Sequence, residues 1–125
     1  MNVPANLLFT KDHEWIKIEG SEALVGITDY AQTELGEIVF VELPAVGDAI
    51  SMESTFGTVE AVKAVSDLFM PVSGEILSIN PMLEDKPELI NEEPYGEGWM
   101  IRIRFSNPAE IDALLSPEAY SKLIQ

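Results

Sequence analysis

Hydrophobic and polar positions along the chain change period several times, and the changes mark out its elements. Trp15-Ile16-Lys17-Ile18-Glu19 alternates and stops at Gly20-Ser21, and Glu22-Ala23-Leu24-Val25-Gly26-Ile27 resumes with β-branched character. Two short runs around a Gly-Ser break predict an antiparallel hairpin. Thr28-Asp29-Tyr30-Ala31-Gln32 offers a polar cap with Gln32 three residues after Asp29, and Gly36 offers a stop. That pattern predicts a short helix from about Asp29 to Leu35. Ile38-Val39-Phe40-Val41 is apolar at every position, so burial on both faces is expected, as at the centre of a sandwich. The cleanest alternation puts Trp99, Ile101, Ile103 and Phe105 on one side and Arg102 and Arg104, the chain's only arginines, on the other. The arginine face reads as a solvated strand surface paired with nearby acids.

Between Asn80 and Glu97 the chain is rich in Pro, Glu and Asp. Asn80-Pro81 can begin one helical turn that Pro87 ends, with surface loop beyond. Asn107-Pro108-Ala109-Glu110 and Ser116-Pro117-Glu118 each set a cap before a proline at the first helical position, so two short helices close the chain over about 107–125. The sum is a mainly β chain: a flattened antiparallel β-sandwich with short peripheral and C-terminal helices. Gly36-Glu37-Ile38-Val39 recurs as Gly74-Glu75-Ile76-Leu77, which suggests two halves built alike.

With 125 residues, no internal linker and 46% hydrophobic content, one domain spanning 1–125 with a real core is expected. The formal net charge is −15, from 22 acids against 7 bases. Seven scattered bases cannot displace counterions from nucleic acid, and an anionic membrane repels such a surface. The same charge favours a monomer steered toward basic docking faces. Zero cysteines remove thiolate nucleophiles and disulfides, and a single histidine removes any multi-histidine metal centre. The N-terminal residues lack signal-peptide character, and no apolar run approaches the roughly 20 residues of a membrane span. A soluble, cytoplasmic protein is expected.

One lysine stands in a run of small and β-branched residues, Gly57-Thr58-Val59-Glu60-Ala61-Val62-Lys63-Ala64-Val65-Ser66-Asp67-Leu68, followed by Pro71-Val72-Ser73-Gly74-Glu75-Ile76. Spacing alone makes Lys63 a solvated lysine with Glu60 before it and Asp67 after it. Thr58 to Val65 has no Gly, Asn or Pro at its centre, so nothing local demands a turn. One long strand and a short helix both stay open.

The wording of that stretch resembles the lipoyl-lysine segment of the glycine cleavage system H-protein family. The likeness returns in His13-Glu14-Trp15, in Gly26 to Gln32, in Leu35 to Pro44, in Leu89-Ile90-Asn91 and in Pro94 to Ile101. The motifs fall in family order from about Phe9 to the end. The resemblance implies a barrel-sandwich fold of lipoyl/biotinyl type with the lysine on a hairpin of about 57–76. It implies lipoic acid attached covalently at Lys63 as N6-lipoyl-lysine, and a carrier with no catalytic or metal residues of its own. It further implies that the carrier takes the aminomethyl group of glycine from the P protein (glycine decarboxylase) to the T protein (aminomethyltransferase). The L protein (dihydrolipoyl dehydrogenase) would reoxidise the arm, and a lipoate-attaching enzyme would load it.

By the same resemblance, Glu14 and Asp67 match positions lining a cleft where the loaded arm rests, with His13 and Asp12 as neighbours. Asp12 stands where the family often has serine, and His13 beside Trp15 also reads as a hydrogen-bonded structural histidine. Glu60 is assigned to recognition by the lipoylating enzyme. An H-like donor in lipoyl relay to other 2-oxoacid dehydrogenase complexes would show the same motif. A biotinyl domain would show Met-Lys-Met, which is absent. A small enzyme using Glu14 and Asp67 as an acid–base pair would lack a nucleophile, metal ligands and a phosphate-binding loop.

Overall fold

A computed structural model describes residues 1–125. Its strands are β1 (Leu8–Phe9), β2 (Glu14–Glu19), β3 (Glu22–Ile27), β4 (Ile38–Glu42), β5 (Ala49–Ile50), β6 (Thr55–Ala61), β7 (Val65–Phe69), β8 (Gly74–Ile79) and β9 (Ile101–Phe105). They form two open antiparallel sheets: a six-stranded sheet in the order β1-β2-β3-β9-β8-β5 and a three-stranded sheet in the order β4-β6-β7. The fold is mainly β with short helices. The apolar inner faces of the two sheets close on each other. Ile16, Val25, Ile76, Ile101 and Ile103 of the larger sheet share one buried cluster with Ile38, Val59 and Leu68 of the smaller. Each such aliphatic side chain contributes about 1.5–3 kcal/mol by leaving water.

The β2–β3 hairpin forms where the alternation breaks. Glu19 pairs with Glu22, and Gly20 takes the positive φ (+67°) that the tight reversal needs. Helix α1 (Asp29–Leu35) is capped by Thr28, whose hydroxyl accepts from the Ala31 N–H. At the C-terminal end, α4 (Pro117–Leu123) is capped by Ser116. A smaller cluster of Leu7, Phe9, Trp15 and Tyr120 holds α4 against the larger sheet, with the Phe9 and Tyr120 rings stacked at 4.7 Å.

Several local expectations change in three dimensions. Ile38 is buried, but Val39 and Phe40 are 48% and 52% exposed. The reason is that β4 is an edge strand with a bulge between Ile38 and Phe40, in a sheet that covers only one face. The acidic stretch after Asn80 holds two one-turn helices, α2 (Met82–Asp85) and α3 (Leu89–Glu92), and α3 buries Leu89 and Ile90. Four residues are too few to show a helical period, so composition masked α3. The Pro108–Ala113 segment winds as a 3-10 helix. Trp99 precedes β9 and packs with the smaller cluster. Arg102 pairs with Glu19 at 3.0 Å and Glu22 at 3.3 Å, and Arg104 with Glu75 at 3.6 Å. The repeated Gly-Glu-Ile motif opens β4 and β8, one in each sheet, with Ile38 and Ile76 both in the core.

Gly57 on β6 lies so close to β4 that a Cβ there would run into the Glu42 carbonyl oxygen. Backbone cannot yield as a flexible side chain can. Gly57→Ala is therefore expected to cost about 1–3 kcal/mol, read as a lower midpoint in urea unfolding. An unchanged midpoint would show that β4 and β6 can separate freely.

Candidate functional site

Lys63 sits at the turn joining β6 to β7. Regular pairing ends at Glu60 opposite Val65. Beyond it the Ala61 N–H donates to the Ala64 carbonyl at 2.7 Å, and the Val62 N–H donates to the Glu37 carbonyl at 3.0 Å. The first bond closes the turn, and the second ties it to the segment between α1 and β4. Lys63 is exposed and takes part in no ion pair. Its neighbours Val62 and Val65 are 67% and 65% exposed. Glu60 is exposed too, aligned across the sheet between Phe40 and Val65.

A cleft of about 270 Å³ opens farther along β7. Thr10, Lys11, Asp12 and Glu14 supply one side, Phe69 to Pro71 another, and Ala113 to Leu115 a third. Glu14 is 2% exposed. Residues 10–14 close on themselves: the Thr10 N–H donates to the Glu14 carbonyl at 2.9 Å, and the Glu14 N–H to the Thr10 hydroxyl at 3.1 Å. The Thr10 hydroxyl donates in turn to Glu14 Oε1 at 2.6 Å, and the Phe69 N–H reaches Oε2 at 3.3 Å. Burial outweighs these donors and, with the Asp12 carboxylate adding repulsion, pushes the Glu14 carboxyl up to about 7. A carboxyl poised there, between apolar walls, can receive a cation or hold a proton near neutrality.

The structure treats the other predicted site residues differently. Asp12 lines the cleft. Asp67 does not, and it is exposed. By strand alternation it shares a side of β7 with Phe69, about 7 Å toward the lysine turn. Glu14 and Asp67 are therefore not a close acid–base pair.

His13 belongs elsewhere, and its expected place in the cleft is corrected. Its Nδ1 lies 2.9 Å from the Tyr120 hydroxyl, which lies 2.6 Å from the Thr28 hydroxyl. Its ring packs on Tyr30 at 4.7 Å. Burial lowers the His13 pKa against the opposing pull of Asp12 and Glu34, and burial pushes Tyr120 up to about 12. This neutral chain fastens the loop, with His13 at φ +69°, to α1 and α4.

Phe69, Met70 and Leu114 escaped the sequence reading. Thr10, four residues before Glu14, gave a local signal, whereas Leu114 gave none because only the tertiary fold brings it there. No helix is long and apolar enough to cross a membrane, and no cluster of side chains could hold a metal ion.

Comparison with known proteins gives a consistent result. The family model described as Glycine cleavage H-protein matches residues 7–125. The glycine cleavage system H protein of Carboxydothermus hydrogenoformans is 54% identical over 123 residues, covering 98% of this chain and 95% of that one. That of Chlorobaculum tepidum is 56% identical over 126 residues, covering 99% and 98%. Among solved structures, the crystal structure of a glycine cleavage system H protein from Mycobacterium marinum matches with a TM-score of 0.85 at 37% identity. It covers 96% of this chain and 97% of that chain.

The Glu14 environment carries a pH signature. Its folded pKa of about 7 lies above the ordinary 4.5, so between those values the folded state binds more protons than the unfolded one. Stability tied to Glu14 is full below about pH 4.5 and is lost as pH rises through about 7. Glu14→Gln, which cannot ionise, is expected to gain on the parent as pH rises from 5 to 8, by on the order of 2 kcal/mol. Urea midpoints of both proteins across that range check it; parallel curves would contradict the raised pKa.

Proposed function

Because the chain belongs to the glycine cleavage H-protein family, we propose that Lys63 is its lipoyl-lysine and that the Glu14 cleft receives the attached arm. Members of this family are non-catalytic carriers in the glycine cleavage system, with lipoate joined covalently to a lysine. The observation that carries the assignment is an exposed, ion-pair-free Lys63 on a turn bonded at both Ala61 and Val62. An amine that an enzyme must acylate has to stand clear of the body and stay in one place. The other lysines lack that setting: Lys17 pairs with Glu19 at 3.7 Å, Lys11 borders the cleft, Lys86 follows α2, and Lys122 lies in the last turn of α4.

The residues present suit the group. Phe69, Met70 and Leu114 offer an apolar wall to an aliphatic chain, and Glu14 offers a carboxyl to a positive charge. When bound, the lipoyl group supplies a dithiolane that can carry a one-carbon unit and reducing equivalents. The protein's own part is presentation, then protection. Acylation removes the Lys63 charge. An ammonium entering the cleft would draw Glu14 to its charged form and be held by a charge-assisted hydrogen bond. Walls that exclude water slow hydrolysis of whatever rests between them. Asp67 stands on the route along β7 between the turn and the cleft.

The partners follow from the same reading. A monomeric single-domain carrier visits the P, T and L proteins in the cytoplasm after a lipoate-attaching enzyme has modified it, and tethering replaces diffusion with a high effective concentration. Phe40, Val62 and Val65 give apolar contacts around Lys63, with Glu60 among them as the acid for the modifying enzyme. The net charge of −15 steers the chain toward basic docking faces.

Intact-mass measurement after incubation with lipoate, ATP and a lipoate-attaching enzyme is expected to show one lipoyl group on the parent and none on Lys63→Arg. Modification of the variant at Lys11 or elsewhere would overturn the assignment.

A further inference from the structure

The chain reverses at Lys63 although no residue from Glu60 to Val65 favours a turn, so the reversal needs support from outside. That support is the bond from the Val62 N–H to the Glu37 carbonyl. Glu37 is itself exposed, yet both of its neighbours are held by one side chain. Asn91 Oδ1 accepts from the Ile38 N–H at 2.9 Å. Its Nδ2 donates to the Gly36 carbonyl at 2.8 Å and to Gln32 Oε1 at 3.0 Å. Asn91 is half-buried on α3 between core residues and solvent, one position after Ile90, which is 0% exposed.

We infer that Asn91 is the positioning residue of the Lys63 turn. It clamps Gly36 and Ile38 so that the Glu37 carbonyl is aimed at the residue preceding the lysine. The inference rests on Lys63 being the attachment point. One acceptor and two donors on a short planar group are used at once, and only an asparagine supplies that set at that length. Aspartate keeps the acceptor for Ile38 but turns a carboxylate oxygen toward the Gly36 carbonyl. Alanine removes all three bonds, leaving Gly36 its N–H bond to the Gln32 carbonyl and Ile38 its pairing with Ala61.

The test compares the unmodified parent chain with Asn91→Ala and Asn91→Asp. Hydrogen exchange is read at Val62 and at the core amides of Val59 and Ile76, and lipoylation kinetics are read with a lipoate-attaching enzyme. In Asn91→Ala, Val62 is expected to lose protection about tenfold more than the core amides. The KM for the chain is expected to rise by the factor by which the fraction of chains holding the turn falls, with kcat little changed. Asn91→Asp is expected to fall between the two, and it carries the comparison if the alanine variant does not fold. Parental Val62 protection and KM in a folded variant would overturn the inference. So would loss of protection shared equally by Val59 and Ile76, which would make Asn91 a general support of the fold. Failure of the parent to be modified at Lys63 would instead overturn the lipoyl assignment, since Val62 exchange is measured without it.

Discussion

A three-stranded sheet with one large neighbour can bury only one of its faces, and that constraint shapes the rest of this molecule. The inner face carries Ile38, Val59 and Leu68 into the common core. The outer face keeps Phe40, Glu60 and Val65 in water, and the lysine turn begins directly beyond Ala61, the last buried residue of β6. The exposed turn and the exposed apolar residues beside it have one origin: a sheet too small to wrap around anything. Alternation sets the partition along β6 and β7, and the bulge between Ile38 and Phe40 turns Phe40 outward on β4.

That constraint also explains what could be read in advance. Elements defined by their own residues were legible: the β2–β3 hairpin from its alternation, α1 and α4 from their caps and stops. Ile38-Val41 misled because an edge strand with one solvated face can still be apolar throughout. The turn at Lys63 could not be read from local propensity, since its bond to Glu37 spans distant sequence. Family wording, not periodicity, pointed to it.

The site was legible in part for the same reason. Glu14 and Asp12 stand in the cleft, and Thr10 is close enough in sequence to have been found. His13 turns away because the Tyr120 hydroxyl and the Tyr30 ring offer it better partners than the cleft does. The Ala113–Leu115 wall arrives from the far end of the chain. The Glu14 carboxyl shows the energetic side of this assembly: the fold keeps an acid where burial opposes its ionisation, a tension that a positively charged occupant would relieve.

The cleft is finished by a segment made well after the lysine turn. Leu115 exchanges backbone hydrogen bonds with Phe9 at 2.9 and 2.7 Å, and Tyr120 locks behind it. During synthesis the loop bearing Lys63 leaves the ribosome well before that closing segment does. A nascent chain can thus form the Lys63 turn while the cleft farther along β7 still lacks its Ala113–Leu115 wall.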